Sequence, residues 1–250
     1  MSKHMQNRPL SPHLTIYRPQ LNSVLSILHR ITGIALSITL LILIGFFISL
    51  IFGEKIFIVF STYFNSVVGK LIMFFSLCGI WYHFFAGIRH LFWDMGYGFN
   101  LKWVELSSYS ILALTFIFDI YFCFNKPFNL NLFWSTKMGQ NIASTRHWIK
   151  QRVSSILLIP LTLLFFYNFL NVSTLSYDDV ISNYKNPFHL CVAFLFITIS
   201  IWHFYQGIEV VLEDYIHETN LRNSTLKTLK ILCWFLTLII TLAFIFLYRF

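Results

Sequence analysis

The chain has 250 residues, of which 57% are hydrophobic, 19% aromatic and only 11% charged, with a formal net charge of +8. Soluble domains carry about 25% charged residues, and a soluble fold of this length could not hide so much apolar surface, which lipid accepts readily. The Lys and Arg residues lie scattered between apolar runs, without the basic, aromatic-interleaved patch of a nucleic-acid binder.

Residues 1–25 are polar, contain Pro9, Pro12 and Pro19, and lack the short apolar core of a cleavable secretory signal. A spanning helix needs about 20 mostly apolar residues. Six stretches qualify, at roughly 26–52, 67–93, 104–124, 152–171, 188–213 and 228–249. Polar or turn-forming segments such as Phe52-Gly53-Glu54-Lys55 separate them. The expected fold is therefore all-α, an integral membrane bundle of six helices. The longest separator, 125–151, contains Lys126-Pro127 and reads as a linker between two halves of three helices each. The domain reading is 1–124, a linker at 125–145, and 146–250.

The halves repeat one another. Both the second and fifth spans read His-Phe-x-x-Gly-Ile, at His83 to Gly87 and at His203 to Gly207, with Asp94 and Asp214 eleven residues after each His. Upstream, Arg30-Ile-Thr-Gly parallels Arg152-Val-Ser-Ser, 53 and 51 residues before the corresponding His. Charge placement fits halves of the same orientation. Parallel halves put 12 Lys and Arg inside against 5 outside, leaving out mid-linker Lys137, whereas inverting the second half gives 8 against 9. The linker must then cross the membrane. Its length suffices, but bare polar backbone in lipid is forbidden. Either it crosses buried in protein, or the chain behaves as two polypeptides, the second starting near Met138.

His83 and His203 sit about ten residues from the inner ends of their helices, hence about 15 Å deep. Intramembrane histidines are costly and mark function. One alone is more often a packing residue bonded to a neighbouring helix; a matched pair favours two neutral imidazoles on a low-spin haem iron. The glycine four residues after each lets a large planar group approach. His29, Arg30 and Arg152, at inner helix ends, are candidates for the anionic haem propionates. Ser26, one turn before Arg30, with Asp214 and Tyr215, could bind and protonate the carbonyl oxygens of a quinone. Asp119 and Glu209 are intramembrane acids without an assigned role. Cys78, Cys123, Cys191 and Cys233 lack ligand spacing and are expected as small buried hydrophobes.

Arg8-Pro-Leu-Ser-Pro-His-Leu-Thr-Ile-Tyr17-Arg-Pro-Gln, Ser26-Ile-Leu-His-Arg30-Ile-Thr-Gly33 and His83-x-x-x-Gly87-Ile-Arg-His90-Leu-Phe-Trp-Asp94 resemble the larger cytochrome b anchor subunit of succinate dehydrogenase. His147-Trp-Ile-Lys-Gln-Arg152, His203-x-x-x-Gly207 and Asp214-Tyr215 resemble the smaller anchor. This resemblance implies one haem b shared between His83 and His203. It also implies ubiquinone near Ser26, Arg30, Asp214 and Tyr215, completed by an iron–sulfur subunit. Electrons would arrive from succinate through a flavoprotein subunit and iron–sulfur clusters, so this chain itself carries no succinate site. The implied membrane is the bacterial inner or the mitochondrial inner one. These anchors are ordinarily two chains; here they are joined. The alternatives are a fumarate reductase anchor, a stand-alone b-type electron-transfer cytochrome of the membrane, and a secondary transporter.

Overall fold

The computed structural model describes residues 19–124, 145–172 and 175–249. Among the described residues the chain forms eight helices and no strand: α1 (Leu21–Ile51), α2 (Glu54–Asn65), α3 (Val67–Asp94), α4 (Leu101–Phe124), α5 (Thr145–Val172), α6 (Tyr177–Tyr184), α7 (Pro187–Tyr215) and α8 (Thr219–Arg249). Six of them, all but α2 and α6, are long and apolar enough to span a membrane. Lipid offers no hydrogen bonds, so a spanning backbone must satisfy itself within each helix. Local hydropathy therefore locates these elements well.

The expected spans meet α1, α3, α4, α5, α7 and α8, but two short helices were missing from the reading. α2 and α6 occupy the same place in each half, between its first and second spans. Their mixed polar and apolar sequence resembles connecting segments more than spans. α5 begins at Thr145, earlier than the expected 152, and continues through Pro160. A proline inside a membrane helix is tolerated where neighbouring groups re-satisfy the freed backbone. Gly53, at φ +91°, makes the left-handed turn between α1 and α2 that an L side chain would strain. Ser66 caps α3 by accepting from the Gly69 amide at 3.1 Å, and Asn186 caps α7 just before Pro187.

Four helices make the centre. α1 packs on α3 and α7, and α5 packs on α7 and α3, so the two second spans, α3 and α7, lie on one diagonal. α4 flanks α3 and α8 flanks α7. This exchange of like for like is a pseudo-twofold arrangement along the bundle. Its direction is fixed by two ion pairs, Arg30–Asp214 and Arg152–Asp94. The starts of α1 and α5 and the ends of α3 and α7 therefore share one face, and the halves are parallel. α4 runs back along α3, with Arg89 bonded to Ser108 and Trp81 against Phe118. It ends on the far face, whereas α5 starts on the near one. Residues 125–144 thus join opposite faces, a distance their ~70 Å extended length covers. The path of that linker, and Cys123, lie outside the described residues and side chains.

Packing is densest away from the ion pairs. Phe47, Phe165, Tyr184, Ile240 and Phe244 belong to one buried cluster drawn from α1, α5, α6 and α8. Phe165 stacks on Phe196 at 4.4 Å, and Phe47 meets Tyr184 at 5.0 Å. In lipid such contacts act through dispersion rather than through release from water. Tyr177 ties the halves further by donating to the Leu50 carbonyl at 3.0 Å. Burial of the Tyr184 phenol, which has no hydrogen-bond partner among the described residues, pushes its pKa up. Cys233 is buried as expected and Cys78 partly so, but Cys191 is exposed, because it lies on an outer face of α7.

Candidate functional site

Two imidazoles, one from each half, lie among the four central helices. His83 on α3 and His203 on α7 come from the two diagonal helices. Each is held through Nδ1 by the first helix of its own half. His83 Nδ1 lies 3.2 Å from the His29 carbonyl and 3.5 Å from the Thr32 hydroxyl. His203 Nδ1 lies 2.9 Å from the Ser154 hydroxyl. Thr32 and Ser154 are repeat partners, two residues after Arg30 and Arg152.

The neighbours decide the tautomers. A backbone carbonyl only accepts, so His83 donates its Nδ1–H to His29. Thr32 already directs its proton to the carbonyl of Leu28 or of His29, at 2.8 and 3.0 Å. His83 therefore keeps a lone pair on Nε2, as a metal ligand must. The donor set fits a haem held by two neutral imidazoles.

Glycines shape the same region. At Gly33 an added Cβ would sit 3.0 Å from His83 Cε1, so the α1 backbone and the His83 ring need each other's room. At Gly87 an added Cβ would come no closer than 3.9 Å to His29, and at Gly207 it would meet nothing within 4 Å. The chain's own packing does not demand glycine at Gly87 or Gly207, which suits a planar group lying against them.

The inner face holds the remaining candidates. Arg30 Nη1 pairs with Asp214 Oδ2 at 3.0 Å, donates to the Tyr215 hydroxyl at 3.4 Å, and its Cζ lies 5.9 Å from that ring's centroid. Ser26 is half-buried one turn before Arg30 and has no hydrogen bond among the described residues. The structure thus gathers Arg30, Asp214 and Tyr215 from opposite halves of the chain, with Ser26 beside them. His29 points the other way, stacking on His83 at 4.1 Å and standing 5.0 Å from His90, with its Nδ1 unpartnered among the described residues. Arg152 is occupied differently: its Nη2 meets Asp94 at 2.6 Å and its Cζ lies 5.6 Å from the Trp148 ring. Trp148 also hydrogen-bonds Asp94.

The two ion pairs are symmetry partners with unequal surroundings. Arg30 and Asp214 side chains are 42% and 44% exposed, whereas Arg152 and Asp94 are 21% and 25% exposed. Repeat position Ser26 becomes Trp148, which closes over its pair, and Tyr215 becomes Met95. One pair is open to a ligand; the other is a latch.

Three participants were missed by the sequence reading. Thr32 and Ser154 were visible in the aligned Arg-x-Thr and Arg-x-Ser triplets, but their target was not. Arg89, in the Gly87-Ile-Arg-His90 motif, is buried, donates to Ser108 at 3.0 Å and lies 4.5 Å from the Trp93 ring centroid. Its Nε and Nη2 lack partners among the described residues. Of the two intramembrane acids, Asp119 is buried beside Cys78, and Glu209 is half-buried near Tyr205.

Such an arrangement defines a class: a multi-pass helical membrane subunit built from a tandem three-span repeat, with paired histidines at its core and an Arg–Asp–Tyr cluster at one face. The chain belongs to the succinate dehydrogenase/fumarate reductase transmembrane subunit family, which matches over residues 4–122 and again over 125–245. Among curated relatives, the succinate dehydrogenase cytochrome b560 subunit of Reclinomonas americana is 44% identical over 119 residues, 46% of this chain and 83% of that relative. The cytochrome b556 subunit of Rickettsia bellii is 42% identical over 117 residues, 45% of this chain and 88% of that relative. That of Paracoccus denitrificans is 37% identical over 107 residues, 43% of this chain and 82% of that relative. No solved structure matches the chain.

Proposed function

We propose that this chain is the haem b-containing membrane anchor of succinate dehydrogenase, with both anchor units, 1–124 and 146–250, joined by the 125–145 linker. It docks the iron–sulfur and flavoprotein subunits and delivers electrons from succinate oxidation to ubiquinone. The supporting observation is the pair His83 and His203, on symmetry-related helices, each with Nδ1 engaged by the first helix of its own half.

His83 and His203 would hold one haem b through its iron, and His29, Arg30 and Arg152 would provide cations or donors for its propionates. When bound, this group supplies a one-electron carrier in the middle of the bilayer. The quinone site uses Ser26, Arg30, Asp214 and Tyr215. Asp214 holds the Arg30 guanidinium in place, and Arg30 donates to the Tyr215 oxygen, leaving the Tyr215 proton free for a quinone carbonyl. The Tyr215 proton, strengthened as a donor by the Arg30 charge on its oxygen, stabilises the negative charge that reduction places on the carbonyl. The Ser26 hydroxyl is available to the same ring. The closed Asp94–Arg152–Trp148 counterpart explains why only one of the two symmetric positions takes the substrate.

The expected membrane is the bacterial inner or mitochondrial inner one, with residues 19–30 on the side facing the soluble subunits. His203→Leu in the purified complex tests the central claim. The reduced haem band should vanish or shift; an unchanged spectrum would refute ligation by both histidines. A fumarate reductase anchor is the second reading, since the family covers both directions. Comparing turnover with succinate and with quinol separates them.

A further inference from the structure

The two central histidines are secured by different kinds of acceptor. His83 faces a backbone carbonyl at 3.2 Å, which no substitution can remove. His203 faces a side chain, Ser154, which is 7% exposed. The Ser154 oxygen also lies 2.9 Å from the Gln151 carbonyl and 2.9 Å from Gln206 Oε1. A serine hydroxyl has one proton and two lone pairs. With that proton directed to the Gln151 carbonyl or to Gln206 Oε1, a lone pair is left for the ring, and His203 donates its Nδ1–H to it.

We propose that Ser154, oriented by Gln206, is a positioning residue that fixes the tautomer and rotation of the His203 ring and so sets the electron affinity of the iron bound to it. This rests on the ligand assignment above. Gln206 lies three residues from His203 on α7, so it travels with the ring it serves, while Ser154 arrives from α5. A hydrogen bond accepted from Nδ1–H makes Nε2 a more basic ligand. A more basic ligand favours the oxidised metal. Removing the acceptor therefore raises the reduction potential. The halves are unequal here: Thr32, at 3.5 Å, only backs up a carbonyl, whereas Ser154 is the sole acceptor described for its ring.

The test is a redox titration of the haem absorbance in the intact purified complex for Ser154→Ala, Ser154→Thr, Thr32→Val and His203→Leu. Ser154→Ala should shift the oxidised-to-reduced ratio roughly tenfold at a given applied potential, about 59 mV upward for one electron. Ser154→Thr, which keeps the hydroxyl, should restore the native potential, and Thr32→Val should shift it less than Ser154→Ala. An unmoved potential in Ser154→Ala overturns the proposal, as does an equal shift in Ser154→Thr. If Ser154→Ala loses its haem, retention by Ser154→Thr supports the proposal and loss by both overturns it. His203→Leu isolates the parent assignment: an unchanged spectrum there refutes the ligand itself, independently of Ser154.

Discussion

Asp94→Asn and Asp214→Asn remove the same charge from symmetry-related ion pairs, yet they should have opposite consequences. The Arg152–Asp94 pair is short, 2.6 Å, and about three-quarters buried, with Trp148 also bonded to the carboxylate. Removing one partner of a fully buried pair costs about 3–5 kcal/mol, because the other charge is left without compensation. Water still reaches part of both side chains, so the expected loss for Asp94→Asn is about 2–3 kcal/mol. At about 2–4 °C per kcal/mol for a chain of this length, that lowers Tm by about 4–12 °C. The Arg30–Asp214 pair is over two-fifths exposed on each side, so its loss costs below about 1 kcal/mol and moves Tm by at most a few degrees. Asp214→Asn should instead depress quinone reduction, since it frees Arg30 from its fixed position. The assay pairs thermal unfolding of the purified complex, followed by size-exclusion chromatography after heating, with ubiquinone reduction. Equal Tm shifts in the two variants, or lost quinone reduction in Asp94→Asn alone, would refute the distinction between latch and open site.

Other substitutions probe separate links. Arg30→Ala should cut quinone reduction at least tenfold while succinate oxidation by a soluble artificial acceptor continues; equal loss of both activities argues against a quinone role. Gly207→Leu should reduce haem content, as read from the haem-to-protein absorbance ratio, although an added Cβ there meets nothing within 4 Å among the described residues. Full haem occupancy there would remove the reason given for that glycine. Asn168 and Asn183 exchange amide hydrogen bonds at 3.0 Å in both directions, tying α5 to α6. Asn168→Ala strands Asn183 and should cost about 1–3 kcal/mol, measurable as a lowered Tm.

Much of this molecule is local information. A spanning helix satisfies its backbone within itself and must be apolar over its length, so six elements could be read from hydropathy. The repeat was equally legible, because His83 and His203, Asp94 and Asp214, Arg30 and Arg152 recur at fixed spacing. The placement of Lys and Arg gave the parallel sense of the halves. The short helices α2 and α6 escaped, since their length and composition match those of connecting segments.

Rotation of each helix about its axis was not legible. Spans that are apolar nearly all round carry no stripe to say which face turns inward. Only the packed bundle decided that His83 leans on the His29 carbonyl and His203 on Ser154, partners 54 and 49 positions apart. It alone decided that the ion pairs cross between halves, Arg30 to Asp214 and Arg152 to Asp94. The sequence determined that two equivalent charged corners exist; the tertiary structure made one a closed latch under Trp148 and left the other open beside Tyr215. Closure depends on which side chains meet across a helix interface, and that is a property of the assembled bundle rather than of any one segment.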